Sequence, residues 1–147
     1  MTTAEWRIWN LACVYGVLHL LALALATGAV ERVYWWRMVA RGYGLIAPEP
    51  DGRLHRRPAW SAMKTLIAEL GGALFTETLP SRGGVWLYRF DRDGRTIVVA
   101  WSLQTGASAE LPAPAVTATS RDGAALPTPD GTSIATGPSP VYYVLEM

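Results

Sequence analysis

The feature that most constrains this chain is a ten-residue run, Val30-Glu-Arg-Val-Tyr-Trp-Trp-Arg-Met-Val39, followed by Gly42-Tyr-Gly-Leu-Ile46 and then Arg57-Pro-Ala-Trp60. The first segment is rich in β-branched and aromatic residues and predicts a strand. Strand alternation puts Val33, Trp35 and Arg37 on one face and Tyr34, Trp36 and Met38 on the other. Residues 40–57 hold Gly42, Gly44, Pro48, Pro50 and Asp51-Gly52 and predict a long loop. Pro58 suits a first helical turn, Trp60, Met63, Ile67 and Leu70 recur at helical spacing, and Gly71-Gly72 stops the helix. The unit is strand, loop, helix.

Leu11 to Val30 form an apolar run broken only by His19 and Thr27. Its length fits a transmembrane span, and Arg7 with Ala22-Leu-Ala24 or Ala24-Leu-Ala26 resembles an export signal. Under either reading the protein is secreted or membrane-bound, and otherwise its compartment is unknown. Glu5 and Glu31 in the flanks and His19 near the middle favour a buried helix with a wide apolar surface, ended at Thr27-Gly28.

Beyond Gly71-Gly72 helical periodicity gives way to short β-rich runs, which divides the chain at 1–72 and 73–147. Val85 to Phe90 and Arg95 to Trp101 flank Asp91-Arg-Asp-Gly94, a hairpin signal. Ala115 to Ser120, Thr132 to Thr136 and Val141 to Leu145 are further strands, with edge strands and loops between Thr105 and Pro129. Regular short strands predict a small antiparallel β-sandwich. The fold class is therefore α/β plus all-β.

Half of the 147 residues are hydrophobic, 17% are charged, and there are seven Trp and six Tyr, enough for a buried core. A net charge of +1 gives no footprint for nucleic acid. A single cysteine, Cys13, excludes an internal disulfide, and His19 and His55 lie too far apart in sequence to suggest a metal site. No cofactor is expected.

The order Gly28-Ala-Val-Glu-Arg-Val-Tyr-Trp-Trp-Arg37, Gly42-Tyr-Gly-Leu45, Arg57-Pro-Ala59 and Leu66 to Gly72 resembles the last β/α unit of clan A glycoside hydrolases, retaining barrel enzymes that include β-xylosidase-like members. Tyr88-Arg-Phe90, Val98-Val-Ala-Trp-Ser102 and Ser139-Pro-Val-Tyr142 resemble their appended β-sandwich. The likeness runs over roughly residues 8 to 145. It implies that residues 1–72 are the last helix, strand and helix of a (β/α)8 barrel, a fold that needs at least about 200 residues, and that 73–147 are the sandwich.

Such enzymes hydrolyse O-glycosidic bonds with two carboxyl groups about 5–5.5 Å apart. In the family these end the fourth and seventh strands, and no residue here matches either. Glu31, at the start of the closing strand, and Glu49, Asp51, Glu69 and Glu77 have no claim to the role. The resemblance implies that Trp35 is the floor under the sugar, with Arg37 and Tyr43 reaching the sugar or holding the loop. Trp36 is expected to pack on the helix side, and Arg53, His55, Arg56 and Arg57 to form a solvated basic loop. The chain alone is expected to be inactive and to self-associate through faces that the missing barrel portion would cover. Its expected partners are carbohydrate substrate and that portion. The alternative from another class is a membrane-anchored or secreted β-domain binding a partner or glycan. A carbohydrate-binding sandwich would need an exposed aromatic platform, for which Trp86 and Tyr88 share a strand face.

Overall fold

A computed structural model describes residues 21–30, 32–41 and 44–146. Cys13, His19, Glu31 and Tyr43 lie outside them. Residues 21–26 are helical and stop as expected: Thr27 and Gly28 donate backbone N–H bonds to Ala24 and Leu25 carbonyls, and Gly28 takes a positive φ of 66°. No helix among the described residues is long and apolar enough to cross a membrane.

The expected loop carries a small antiparallel hairpin, β1 (Ile46–Pro48) and β2 (Leu54–Arg56). The correction has a local cause. Asp51 accepts the backbone N–H of Arg53 at 3.1 Å, and Gly52 at φ 83° donates to the Glu49 carbonyl, so the breakers build a tight turn. Helix α1 (Pro58–Leu70) follows, with proline in its first turn and Gly71 N–H returning to the Ile67 carbonyl at 2.9 Å.

After α1 come β3 (Leu74–Thr78), β4 (Val85–Arg92), β5 (Arg95–Ser102), β6 (Ala107–Glu110), β7 (Ala115–Ser120), β8 (Ala125–Leu126), β9 (Ser133–Thr136) and β10 (Val141–Leu145). Six of them form one antiparallel sheet in the order β3-β4-β5-β10-β7-β8, and β6 pairs with β9 in a second. The β4–β5 register closes on Arg92 opposite Arg95, leaving Asp93-Gly94 as a two-residue loop. Both have positive φ, 51° and 75°, the primed turn whose twist matches the flanking strands.

The large sheet is buried on both faces, and period-two alternation assigns each side chain to one. Toward the small β6–β9 sheet point Val85, Leu87, Val98, Ala100, Tyr143 and Leu145, which join Leu111 and Ile134. Toward α1 point Tyr88, Phe90, Ile97, Val99, Trp101 and Tyr142. This layer holds an aromatic chain: Phe75 meets Phe90 edge-on at 5.7 Å, Tyr88 meets Trp101 at 5.1 Å, and Trp101 stacks on Trp86 at 5.9 Å.

Helix α1 meets the sheet through Ala59, Ala62, Thr65, Leu66 and Leu70, not through the larger Trp60, Met63 and Ile67 of the expected stripe. Ile67 is 60% exposed as a result. Arg92 reaches from β4 to the Ala68 and Gly71 carbonyls at 2.8 and 3.2 Å, placing its charge at the negative end of the helix. The helix-side core draws on residues before and after Gly71-Gly72.

The expected strand Val30–Val39 does not form. Residues 32–38 carry no ladder, and only Val39 joins Ile46, in an isolated parallel bridge. A strand exists by pairing, and no described segment hydrogen-bonds to the backbone of 32–37. No (β/α)8 barrel is formed among the described residues. Val33, Tyr34, Trp36, Met38 and Val39 are left exposed, an apolar face of the kind that drives association.

Two outcomes test this architecture. Leu87 is wholly buried, so Leu87→Ala is expected to cost about 2–5 kcal/mol in denaturant titration; a loss under about 1 kcal/mol would contradict the two-sided core. Tyr142 is held above its ordinary value of 10.0, first by burial and then by the negative charge of Glu69, and burial moves Tyr88 and Tyr143 the same way. Unfolded phenols ionise near pH 10 while the buried ones keep their protons. The native state therefore binds more protons there, and stability is expected to fall as pH rises above about 10. Tyr142→Phe is expected to flatten that fall in alkaline melts.

Candidate functional site

Residues 32–38 lie across the outer side of the helices. Between them, residues 21–25, α1 and the 71–74 turn runs a cleft of about 520 Å³ lined by Leu21, Leu25, Trp35, Met38, Met63 and Leu66 among others. A smaller cleft of about 210 Å³ adjoins it, sharing Met38, Leu45, Met63 and Ile67 and adding Trp60 and Lys64. Among the described residues no carboxylate lines either cleft. Among the described residues no cluster of three His, Cys, Asp or Glu side chains is placed to hold a metal ion.

The segment that carries Trp35 is fixed at its far end. Ile46 donates its N–H to the Met38 carbonyl at 2.9 Å and Ala40 to the Ile46 carbonyl at 3.1 Å. Gly44 makes that closure possible, since a Cβ there would sit 2.3 Å from the Ala40 nitrogen. Arg57, which caps α1, donates its own N–H to Leu45 at 2.9 Å, and its guanidinium donates to the Arg41 and Ala40 carbonyls. It is buried, which corrects the expectation of a solvated Arg57. The bonds to these carbonyls offset part of the cost of burying a guanidinium. Arg53, His55 and Arg56 are exposed as expected, with the Arg56 guanidinium 5.2 Å over the Trp60 ring.

The expected site residues separate. Trp35 is half-buried, lines the larger cleft and packs on the helix-side core, and its indole N–H is buried with no acceptor among the described residues. Arg37 is exposed and lines neither cleft. Tyr43 lies outside the described residues. Trp36, expected to pack on the helix side, is instead 82% exposed, because without neighbouring strands it is Trp35 that turns to the helices. Trp86 and Tyr88 belong to the aromatic layer facing α1 and form no open platform. Sequence reasoning missed Arg57; the signal available was an arginine placed immediately before the helix-starting proline.

Arg57→Ala is expected to cost about 1.5–3 kcal/mol, since it removes charge-assisted bonds from a buried guanidinium to the Ala40 and Arg41 carbonyls. Arg57→Lys is expected to recover little, because an ammonium lacks the fork. Denaturant titration of both variants checks this, and full recovery by lysine would show that charge alone matters.

Protein-family models and curated proteins give no match to this sequence. Among solved structures, a GH30 endoxylanase from Clostridium papyrosolvens C71 is similar, with a TM-score of 0.65 at 15% identity. The match covers 91% of this chain and 38% of that one, so the chain spans well under half the length of the endoxylanase. At this identity the likeness is one of fold: an antiparallel β-sandwich with a helical portion packed against it, as found within a glycoside hydrolase.

Proposed function

We propose that this chain is the closing portion of a retaining clan A glycoside hydrolase, supplying the last helix, strand and helix of the barrel together with the β-sandwich. One observation carries the reading. The fold likeness to the endoxylanase covers 91% of the chain, whereas residues 73–147 make up only about half of it, so the likeness extends into the helical portion. The strand-type segment 30–39, left without a ladder, fits a barrel strand whose neighbours lie outside these residues.

In this reading Trp35 is the floor under a xylose-type sugar, its indole face against the apolar C–H face of the ring, while Arg37 and Tyr43 hold hydroxyls or the loop. Pairing with neighbouring strands would set the direction of Trp35. The two carboxyl groups of the reaction belong to the rest of the enzyme, and this chain by itself performs no hydrolysis.

The test uses the full chain with an aryl β-xyloside and with xylo-oligosaccharides, read by product release and indole fluorescence. Expected are no turnover and weak oligosaccharide binding. Trp35→Phe, which keeps packing but shrinks the platform, is expected to weaken binding roughly threefold to tenfold, while Trp36→Ser spares it. Turnover comparable with a complete enzyme, or binding indifferent to Trp35, would overturn the reading. The coding frame upstream of the Met1 codon offers an independent check: two strand-end glutamates encoded there support it.

A further inference from the structure

Of the buried polar side chains among the described residues, Arg57, Thr65, Ser102 and Thr136, only Arg57 is charged. A guanidinium is costly to take out of water, and an apolar side chain of similar volume often fills such a place at less cost. What Arg57 does there is bond to the carbonyls of Ala40 and Arg41, 17 and 16 residues earlier, while its own N–H holds the Leu45 carbonyl.

These bonds belong to a clasp. Ile46 donates to the Met38 carbonyl and Ala40 to the Ile46 carbonyl, and Gly44 lies so near the Ala40 nitrogen that a Cβ would collide with it. Through Met38 the clasp leads directly into the segment that carries Trp35. The backbone of 32–37 bonds to no other described backbone, so Met38, three residues beyond Trp35, is the nearest fixed point of the main chain. Met38 and Leu45 of the clasp also share the wall of the larger cleft with Trp35, whereas Arg57 lines neither cleft. The clasp stands where the strand-type segment ends, and in a barrel that end of a strand carries the chemistry.

We propose that Arg57 is a positioning residue of the sugar-stacking site: through the clasp it sets the place of the Trp35 indole, and it touches no sugar itself. The inference deepens the reading above and rests on it only in giving Trp35 a sugar. An arginine that merely stabilised the fold would, when removed, lower stability and leave Trp35 in place in the molecules that remain folded.

The test compares the full chain with its Arg57→Ala, Gly44→Ala and Leu87→Ala variants under conditions where circular dichroism shows them folded. Gly44→Ala opens the same clasp from the other side, so a failure of Arg57→Ala to fold leaves a second variant. Leu87→Ala lowers stability from the opposite face of the sheet and touches no part of the clasp. Indole N–H resonances are read by nuclear magnetic resonance, with Trp35→Phe identifying the Trp35 signal. Arg57→Ala and Gly44→Ala are expected to shift or broaden that signal, and Leu87→Ala to leave it. A Trp35 signal unmoved by the clasp variants, or moved equally by Leu87→Ala, overturns the proposal.

Affinity for xylo-oligosaccharides gives the second readout. Arg57→Ala is expected to weaken binding by about as much as Trp35→Phe, roughly threefold to tenfold. Arg57→Ala combined with Trp35→Phe is expected to bind no more weakly than Trp35→Phe alone, because the two act as one unit; additive losses overturn the proposal. If the parent chain binds no xylo-oligosaccharide, the carbohydrate reading falls and the indole signal still decides the role of Arg57. If the parent binds sugar while the signal stays put, Arg57 loses its role and the carbohydrate reading stands.

Discussion

The structure depends on the burial of both faces of the strand trio β4, β5 and β10. Where most small antiparallel sheets leave one face to water, here the same strands send Leu87, Val98 and Tyr143 one way and Phe90, Val99 and Tyr142 the other. Each face then needs its own cover. The β6–β9 pair supplies one and α1 the other, so removing either layer would expose large apolar area on strands that are otherwise fully paired.

That arrangement decides what the N-terminal part can do. Helix α1 buries Ala59, Ala62, Thr65, Leu66 and Leu70, while Trp60 and Met63, half-buried at the edge of the same core, and the exposed Ile67 line the clefts. The segment carrying Trp35 crosses this outer side and is tied down by Arg57 and the close approach at Gly44. The helix thus has two apolar surfaces, one spent on the sandwich and one still open.

The sandwich was legible in the sequence because its information is local. Ala115–Ser120 and Val141–Leu145 coincide with their observed strands, and Asp93-Gly94 marks the hairpin through a backbone requirement few residues meet. The helix was equally plain, with proline at its start and glycines after its end. The strand at 30–39 was not secured by the same reasoning, since composition reports a preference and pairing depends on other segments. The expected site suffers for the same reason: which tryptophan of a tandem pair faces inward is set by neighbours. Arg57 was hidden because burial of a cation depends on carbonyls brought near it only by folding.

Strand order carries a consequence for how the molecule assembles. β10, last of the strands in sequence, is inserted between β5 and β7, which have no ladder with each other. During synthesis β4 and β5 can zip together at their two-residue turn, while β7 and β8 remain a separate pair, each with an unpatched edge. The two halves become one sheet only when β10 emerges and wedges between them. The edges of β5 and β7 are therefore the places where a waiting nascent chain is most open to pairing with the wrong strand.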